Sequence, residues 1–369
     1  MSGFIRGADL STLAETEARG ARFFDPEGRE GDAMSILARH GVNLVRLRLW
    51  NDPRNDRGES YGGGGCDLAS VCGLARRTKD LGLRWQLVFH YSDFWTDPGK
   101  QTLPKAWRDL APRELEGAVY AFTRDTLRHL KDQGLSPELV SVGNEITNGL
   151  LWPDGKVPRW ERAAACVSAG IRAVRDTLPE ALVLIHLDRG GDAALYREWF
   201  DRYEETRGED FDCIGLSYYP YWSGSLEGLE ENLSALAARF HRPLLVTETA
   251  TGHTLRDYAE LEGLAGLPRK GMAAGEKEAA SIPWPMTPEG QRQFLRDLAA
   301  TIRRTPEGLG AGLVWWEPAW LPLPGCGWAT EAGRAYLGDP GPGGNEWANQ
   351  ALFDYNGRAL PALAELKKL

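Results

Sequence analysis

Short apolar runs alternate with amphipathic stretches along nearly the whole of this 369-residue sequence, and that alternation limits the fold more than any other feature. Runs of four to eight residues, rich in Val, Ile, Leu and Trp, predict strands at 4–8, 44–50, 84–90, 138–143, 182–187, 211–217, 243–248 and 311–316. Between them a 3.6-residue periodicity predicts helices at 32–40, 68–81, 113–133, 161–178, 193–206, 229–240 and 289–304. Several end at glycine, as in His40-Gly41 and Gln133-Gly134, the usual C-terminal stop. Eight strands separated by helices imply parallel β/α units, and eight is the number that closes a barrel. The expected fold class is therefore α/β: one (β/α)8 TIM barrel domain spanning 1–369, with long loops after strands seven and eight at 252–288 and 321–345.

The rival arrangement, an open doubly wound sheet, would want a glycine-rich phosphate turn after an early strand. The only glycine run, Gly62–Gly65, continues into Cys66-Asp67 instead and is expected to be a flexible loop tip. With 43 Lys+Arg against 52 Asp+Glu the net charge is −9, which argues against a nucleic-acid partner. No apolar run approaches the ~18 residues of a membrane span, so no membrane partner is expected either. Cys66, Cys72, Cys166, Cys213 and Cys326 are scattered and odd in number, which suggests neither a disulfide framework nor a zinc site. The start, Met-Ser-Gly-Phe-Ile-Arg-Gly, lacks an apolar signal region. As written the chain is expected in the cytoplasm, or secreted if a leader has been removed, and to act as a monomer. Tryptophan, at 14, outnumbers both Phe and Tyr at 11 each, a bias that suits stacking on sugar rings.

Barrel strands send alternate residues to the helices and to the interior, and their carboxyl ends open into the site. Along the second strand Val45, Leu47 and Leu49 face the helices, so Arg46, Arg48 and Trp50 point inward. An interior guanidinium needs a carboxylate, because an unpaired buried charge costs several kcal/mol. A structural ion pair is the competing reading for either arginine. Along the fourth strand Val140 and Val142 face out, while Ser141, Gly143 and Glu145 face in. On the seventh, Leu244 and Val246 are expected to lead inward to Glu248. A carboxylate pair at the mouth, with arginine beneath and tryptophans around it, suits hydrolysis of a sugar acetal.

Longer motifs sharpen this. Gly7-Ala8-Asp9, Val45-Arg46-Leu47-Arg48-Leu49-Trp50-Asn51-Asp52-Pro53, His90-Tyr91-Ser92-Asp93-Phe94-Trp95 and Gly143-Asn144-Glu145-Ile146 occur in that order. Ser217-Tyr218-Tyr219-Pro220-Tyr221-Trp222, Thr247-Glu248-Thr249, Trp315-Trp316-Glu317-Pro318-Ala319-Trp320 and Asn349-Gln350-Ala351-Leu352-Phe353-Asp354 follow. Together they resemble the arabinogalactan endo-β-1,4-galactanases, family 53 of the glycoside hydrolases, over residues 7–354. The resemblance implies a (β/α)8 fold and retaining hydrolysis of β-1,4-linked galactose, in a polysaccharide or an oligosaccharide. It places the acid/base at Glu145 and the nucleophile at Glu248.

Supporting roles follow from the resemblance together with the strand pattern. Arg46 is expected to keep the Glu248 pKa low, and Asn144 to bond the sugar 2-hydroxyl. His90 orients a carboxylate or touches the sugar, and Asp188 accepts from a hydroxyl. Tyr218 and Tyr219 both remain candidates: strict alternation favours Tyr219, and a bulge would swap them. Trp316 forms the subsite floor, with Trp50, Trp95, Trp222 and Trp320 on loops at the same end. No cofactor or metal is expected. Bacterial members of the family commonly carry a calcium loop after the nucleophile strand, whereas Thr251-Gly252-His253-Thr254-Leu255-Arg256-Asp257-Tyr258 is poor in oxygen ligands. A mannanase- or xylanase-like β-glycanase is the nearest alternative. A non-catalytic carbohydrate-binding barrel is disfavoured by the presence of both glutamates.

Overall fold

The computed structural model describes residues 3–369. Its barrel strands are β1 (Ile5–Asp9), β2 (Leu44–Leu49), β3 (Arg84–Phe89), β4 (Leu139–Val142), β5 (Leu182–Leu187), β6 (Cys213–Ser217), β7 (Leu244–Thr249) and β8 (Gly310–Trp315). All are parallel, each pairs with its neighbours in sequence, and β1 closes on β8 through Ile5↔Gly312 to Ala8↔Trp315. The helices that follow them are α1 (Ala33–Arg39), α2 (Leu68–Asp80), α3 (Pro112–Asp132), α4 (Trp160–Thr177), α5 (Ala193–Glu205), α6 (Leu226–Phe240), α7 (Pro288–Arg303) and α8 (Pro361–Leu366). The (β/α)8 barrel expected from the sequence is the observed fold.

Local chemistry sets the helix starts. Asp32, Asp67, Asp192, Ser225 and Thr287 each accept a hydrogen bond from a first-turn amide, which satisfies one otherwise orphaned donor. Losing such a cap costs about 1 kcal/mol. The strands bury both faces. Ile5, Leu44, Leu139, Leu184, Cys213, Leu245 and Val314 plug the barrel interior below the mouth. Val45, Leu47, Leu87, Phe89, Val140 and Val142 pack outward against the helices in the main core. Each fully buried Leu, Val or Phe there contributes roughly 1.5–3 kcal/mol.

Four expectations need correcting. Leu244 and Val246 belong to the outer core, while Leu245 faces inward. Glu248 still reaches the interior because β7 gains a residue against β6: Leu216 pairs with Val246, but Ser217 pairs with Glu248. This bulge turns both Thr247 and Glu248 inward, and Thr247 Oγ1 bonds Gln86 across the barrel. Second, Gly62–Gly65 is no loose tip. All four residues have positive φ, and a Cβ on Gly63 would stand 2.6 Å from the Trp95 ring. Third, the 321–345 stretch contains a helix, Glu331–Leu337. Fourth, the short closing helix α8 lay outside the predicted set; it is pinned to α7 by Arg296–Glu365 at 2.6 Å.

Candidate active site

The inward residues of all eight strand ends meet at one mouth. Asp9 ends β1, Arg46 and Arg48 lie on β2, and His90 follows β3. Asn144 and Glu145 follow β4, His186 lies on β5, Ser217 ends β6, Glu248 lies on β7, and Trp316 follows β8. Above them opens a cleft of about 490 Å³, lined by both glutamates, Asn144, His90, Ser217, Asp188, Tyr219 and a set of tryptophans. The turn after β4 is left-handed at Gly143 (φ +88) and again at Glu145 (φ +47), which carries the carboxyl from the strand end into the cleft.

Beneath the mouth lies a buried charge network. Asp9 bridges Arg46 at 2.5 Å and Arg48 at 3.1 Å. Arg46 reaches Glu248 Oε1 at 2.6 Å, and Arg48 reaches Glu317 at 2.7 Å. Both guanidinium groups are almost wholly buried, so each carboxylate they meet satisfies a charge that would otherwise be stranded. Tyr219 donates to the other Glu248 oxygen, Oε2, at 3.1 Å, so both carboxyl oxygens of Glu248 are held. Arg48 also lies 4.5 Å from the Trp95 ring centroid, a cation–π contact that fixes one wall.

The two central carboxyls sit in unlike surroundings. Burial, then the Glu248 charge, pushes Glu145 well above the ordinary carboxylate range. Burial also raises Glu248, but there Arg46 opposes the push. The expectation of a low Glu248 pKa is thus corrected: the arginine is present as expected, and desolvation outweighs it. Their separation nevertheless favours one acid and one carboxylate. Burial and the neighbouring Arg48 and Arg46 hold His90 well below its usual pKa, hence neutral. Its Nδ1 accepts from the Thr96 amide at 3.2 Å, which leaves a proton on Nε2. That buried Nε2–H has no partner and borders the cleft. Burial pushes Glu317 up to about 8, despite Arg48 beside it.

Of the residues singled out from sequence, Glu145, Glu248, His90, Asn144, Asp188, Tyr219, Trp95 and Trp316 all line the cleft. Asp188 is bonded by Thr147, whose hydroxyl fixes its carboxylate at the rim. Arg46 lies beneath the cleft and acts through Glu248 and Asn144. Tyr218 is a correction: it faces the helices, stacks with Phe294 of α7 and donates to the Gly224 carbonyl. The strand alternation is unbroken at that point, so Tyr219 alone turns inward. Trp50 is another, packed against Phe94 and Trp95 in a loop core. Trp222 and Trp320 do border the cleft.

Sequence reasoning missed His186 and Trp347 as site residues and used Asp9, Ser217 and Glu317 only within motifs. His186 carried a usable signal: Leu182, Leu184 and His186 are successive inward positions on β5. Trp347 did not, because it reaches Trp316 (4.6 Å between rings) from an irregular loop.

A family model described as glycosyl hydrolase family 53 matches residues 5–366, from the first barrel strand to the last helix. The chain belongs to glycosyl hydrolase family 53. Within it, the chain is 35% identical to an arabinogalactan endo-beta-1,4-galactanase of Cellvibrio japonicus, over 99% of this chain and 90% of the relative. It is 33% identical to an endo-beta-1,4-galactanase of Bacillus subtilis, over 98% and 84%. The solved family 53 catalytic domain of Ignisphaera aggregans superposes with a TM-score of 0.89 at 38% identity, covering 98% of this chain and 95% of that one. As a family 53 member the protein is a glycoside hydrolase with a (β/α)8 catalytic fold.

Proposed function

We propose that this family 53 hydrolase is a retaining endo-β-1,4-galactanase, with Glu248 as nucleophile and Glu145 as acid/base. The observation that carries this reading is the pair of buried carboxyls from β4 and β7, facing one cleft in unlike electrostatic surroundings. Two relatives named as galactanases along nearly the full chain support the choice of galactan.

In the first displacement Glu248 attacks the anomeric carbon while Glu145 protonates the departing sugar oxygen. Arg46 and Tyr219 hold the two Glu248 oxygens, so the nucleophile enters already oriented. In the second, Glu145 takes a proton from water, and that water attacks the same carbon from the opposite face. Two inversions give net retention. The free His90 Nε2–H offers a donor to a sugar hydroxyl, and Trp316 with Trp347 gives an apolar wall for a sugar face. Reducing-end release from galactan, mannan and xylan, measured side by side, tests the assignment. Galactan should be preferred by on the order of 10² or more, a discrimination that differential transition-state binding readily supplies. Equal or faster release from mannan or xylan would overturn the substrate, and no release from any would overturn the activity.

A further inference from the structure

Glu145 is joined to a closed ring of hydrogen bonds whose direction is set by a group that cannot titrate. Its carboxyl Oε1 lies 2.6 Å from Ser217 Oγ. Ser217 Oγ lies 2.8 Å from His186 Nε2. His186 Nδ1 in turn lies 3.4 Å from the backbone nitrogen of Glu145 itself. His186 and Ser217 are at most 1% exposed, on adjacent strands β5 and β6.

The backbone N–H can only donate, so His186 Nδ1 presents its lone pair and the ring proton sits on Nε2. The other neighbour of Nδ1, Asn144 Oδ1 at 3.2 Å, already accepts from Arg46 at 2.8 Å. A proton on Nδ1 would have to use the second lone pair of Asn144 Oδ1 and would leave the Glu145 N–H without its acceptor. With Nε2 donating, Ser217 must accept from it, and the single Ser217 proton is left to donate to Glu145 Oε1. Every bond in the ring then runs one way. Oε1 is an acceptor whether Glu145 is ionised or not.

Resting on the assignment of Glu145 as acid/base, we propose that His186 and Ser217 are positioning residues that confine the catalytic proton to Glu145 Oε2. The Oε2–H bond breaks as the glycosidic oxygen takes the proton, and it re-forms with a proton from the attacking water. Ser217 and His186 keep their own protons throughout. Burial and Arg46 keep His186 neutral, so it does not compete for that proton. Charged groups facing Glu145 are Glu248 on β7, Asp188 after β5 and Asp97 on the loop after β3. All three raise its pKa, and the Ser217 hydroxyl opposes them.

The test compares Ser217→Ala, Ser217→Thr, His186→Leu and His186→Gln with the parent and with Glu145→Ala. The substrates are galactan and a dinitrophenyl β-galactobioside, which needs little protonation to leave. Ser217→Ala and His186→Leu should lose about 10–100-fold in kcat on galactan, part of the 10²–10⁴-fold that general acid catalysis supplies, with KM near the parent's. Glycosylation by the dinitrophenyl substrate should fall far less. Removing the Ser217 donor removes a bond to the charged form, so the Glu145 pKa rises and the basic limb of kcat/KM moves to higher pH. Ser217→Thr and His186→Gln keep a hydroxyl and a donor at the same places, and should recover most of the activity. Parent-like kcat and basic limb in Ser217→Ala and His186→Leu would overturn the inference. So would equal losses on both substrates with no recovery in Thr and Gln. Full galactan activity in Glu145→Ala would instead overturn the underlying assignment.

Discussion

A buried carboxyl that resists ionisation weakens the fold at any pH where the unfolded chain would ionise it. Glu145 is such a group, its folded pKa raised well above the ordinary value by burial and by Glu248. Between the unfolded and folded pKa values the native state binds more protons, so this contribution to stability falls as pH rises from about 4 through the folded value. Glu145→Gln removes the ionisation and keeps an oxygen for Ser217. Its melting temperature should exceed the parent's at pH 7, with the gain vanishing below about pH 4. A lower melting temperature at pH 7 would contradict that electrostatic picture. At this scale the sequence was readable wherever a side chain obeyed period-two alternation. Arg46, Arg48, Ser141 and Tyr219 point where that rule sends them. The same rule applied to β5 reaches His186. It cannot reach Glu317 or Trp347, whose places depend on loops meeting partners far away in sequence.

Elements place these residues through small departures from regularity. The extra residue in β7 brings Glu248 inward, and nothing in Leu-Leu-Val-Thr-Glu-Thr marks it, because a bulge is defined by the register of the neighbouring strand. For that reason the sequence pattern turns Glu248 inward only through a wrong assignment of Leu244 and Val246. The left-handed turn after β4 was more legible, since Gly143 stands next to Asn144-Glu145 and glycine is the residue that accepts positive φ without strain. An added Cβ at Gly143 would also stand 2.5 Å from Ile146 Cγ2. Gly143→Ala should therefore destabilise the protein by about 1–3 kcal/mol in denaturant unfolding, and lower kcat more than it raises KM as Glu145 shifts. Parent-like stability would show that the turn relaxes freely.

Across the whole molecule, the loops after β7 and β8 clasp one another beside the cleft. Asn349 donates to the carbonyls of Thr254 and Ala274, Tyr355 donates to that of Arg256, and Lys270 pairs with Asp339 at 2.5 Å, while Arg269 pairs with Asp257 within the β7 loop itself. Among the described residues no group of three or more His, Cys, Asp or Glu side chains is placed to hold a metal ion. With the clasp made of ion pairs and amides, exhaustive chelation should leave both melting temperature and galactan hydrolysis unchanged, and loss of both would require a structural cation. The clasp itself was hidden in Gly/Pro-rich sequence, where no period exists to read. The central claim, that Glu145 and Glu248 divide the chemistry of double displacement, is tested most directly by the anomer of the galactosyl azide each alanine variant forms. With an aryl substrate and azide, Glu145→Ala still forms the glycosyl-enzyme, so azide should give the β-glycosyl azide after two inversions. Glu248→Ala has no nucleophile, so azide should give the α anomer after one. The same anomer from both variants would contradict the account.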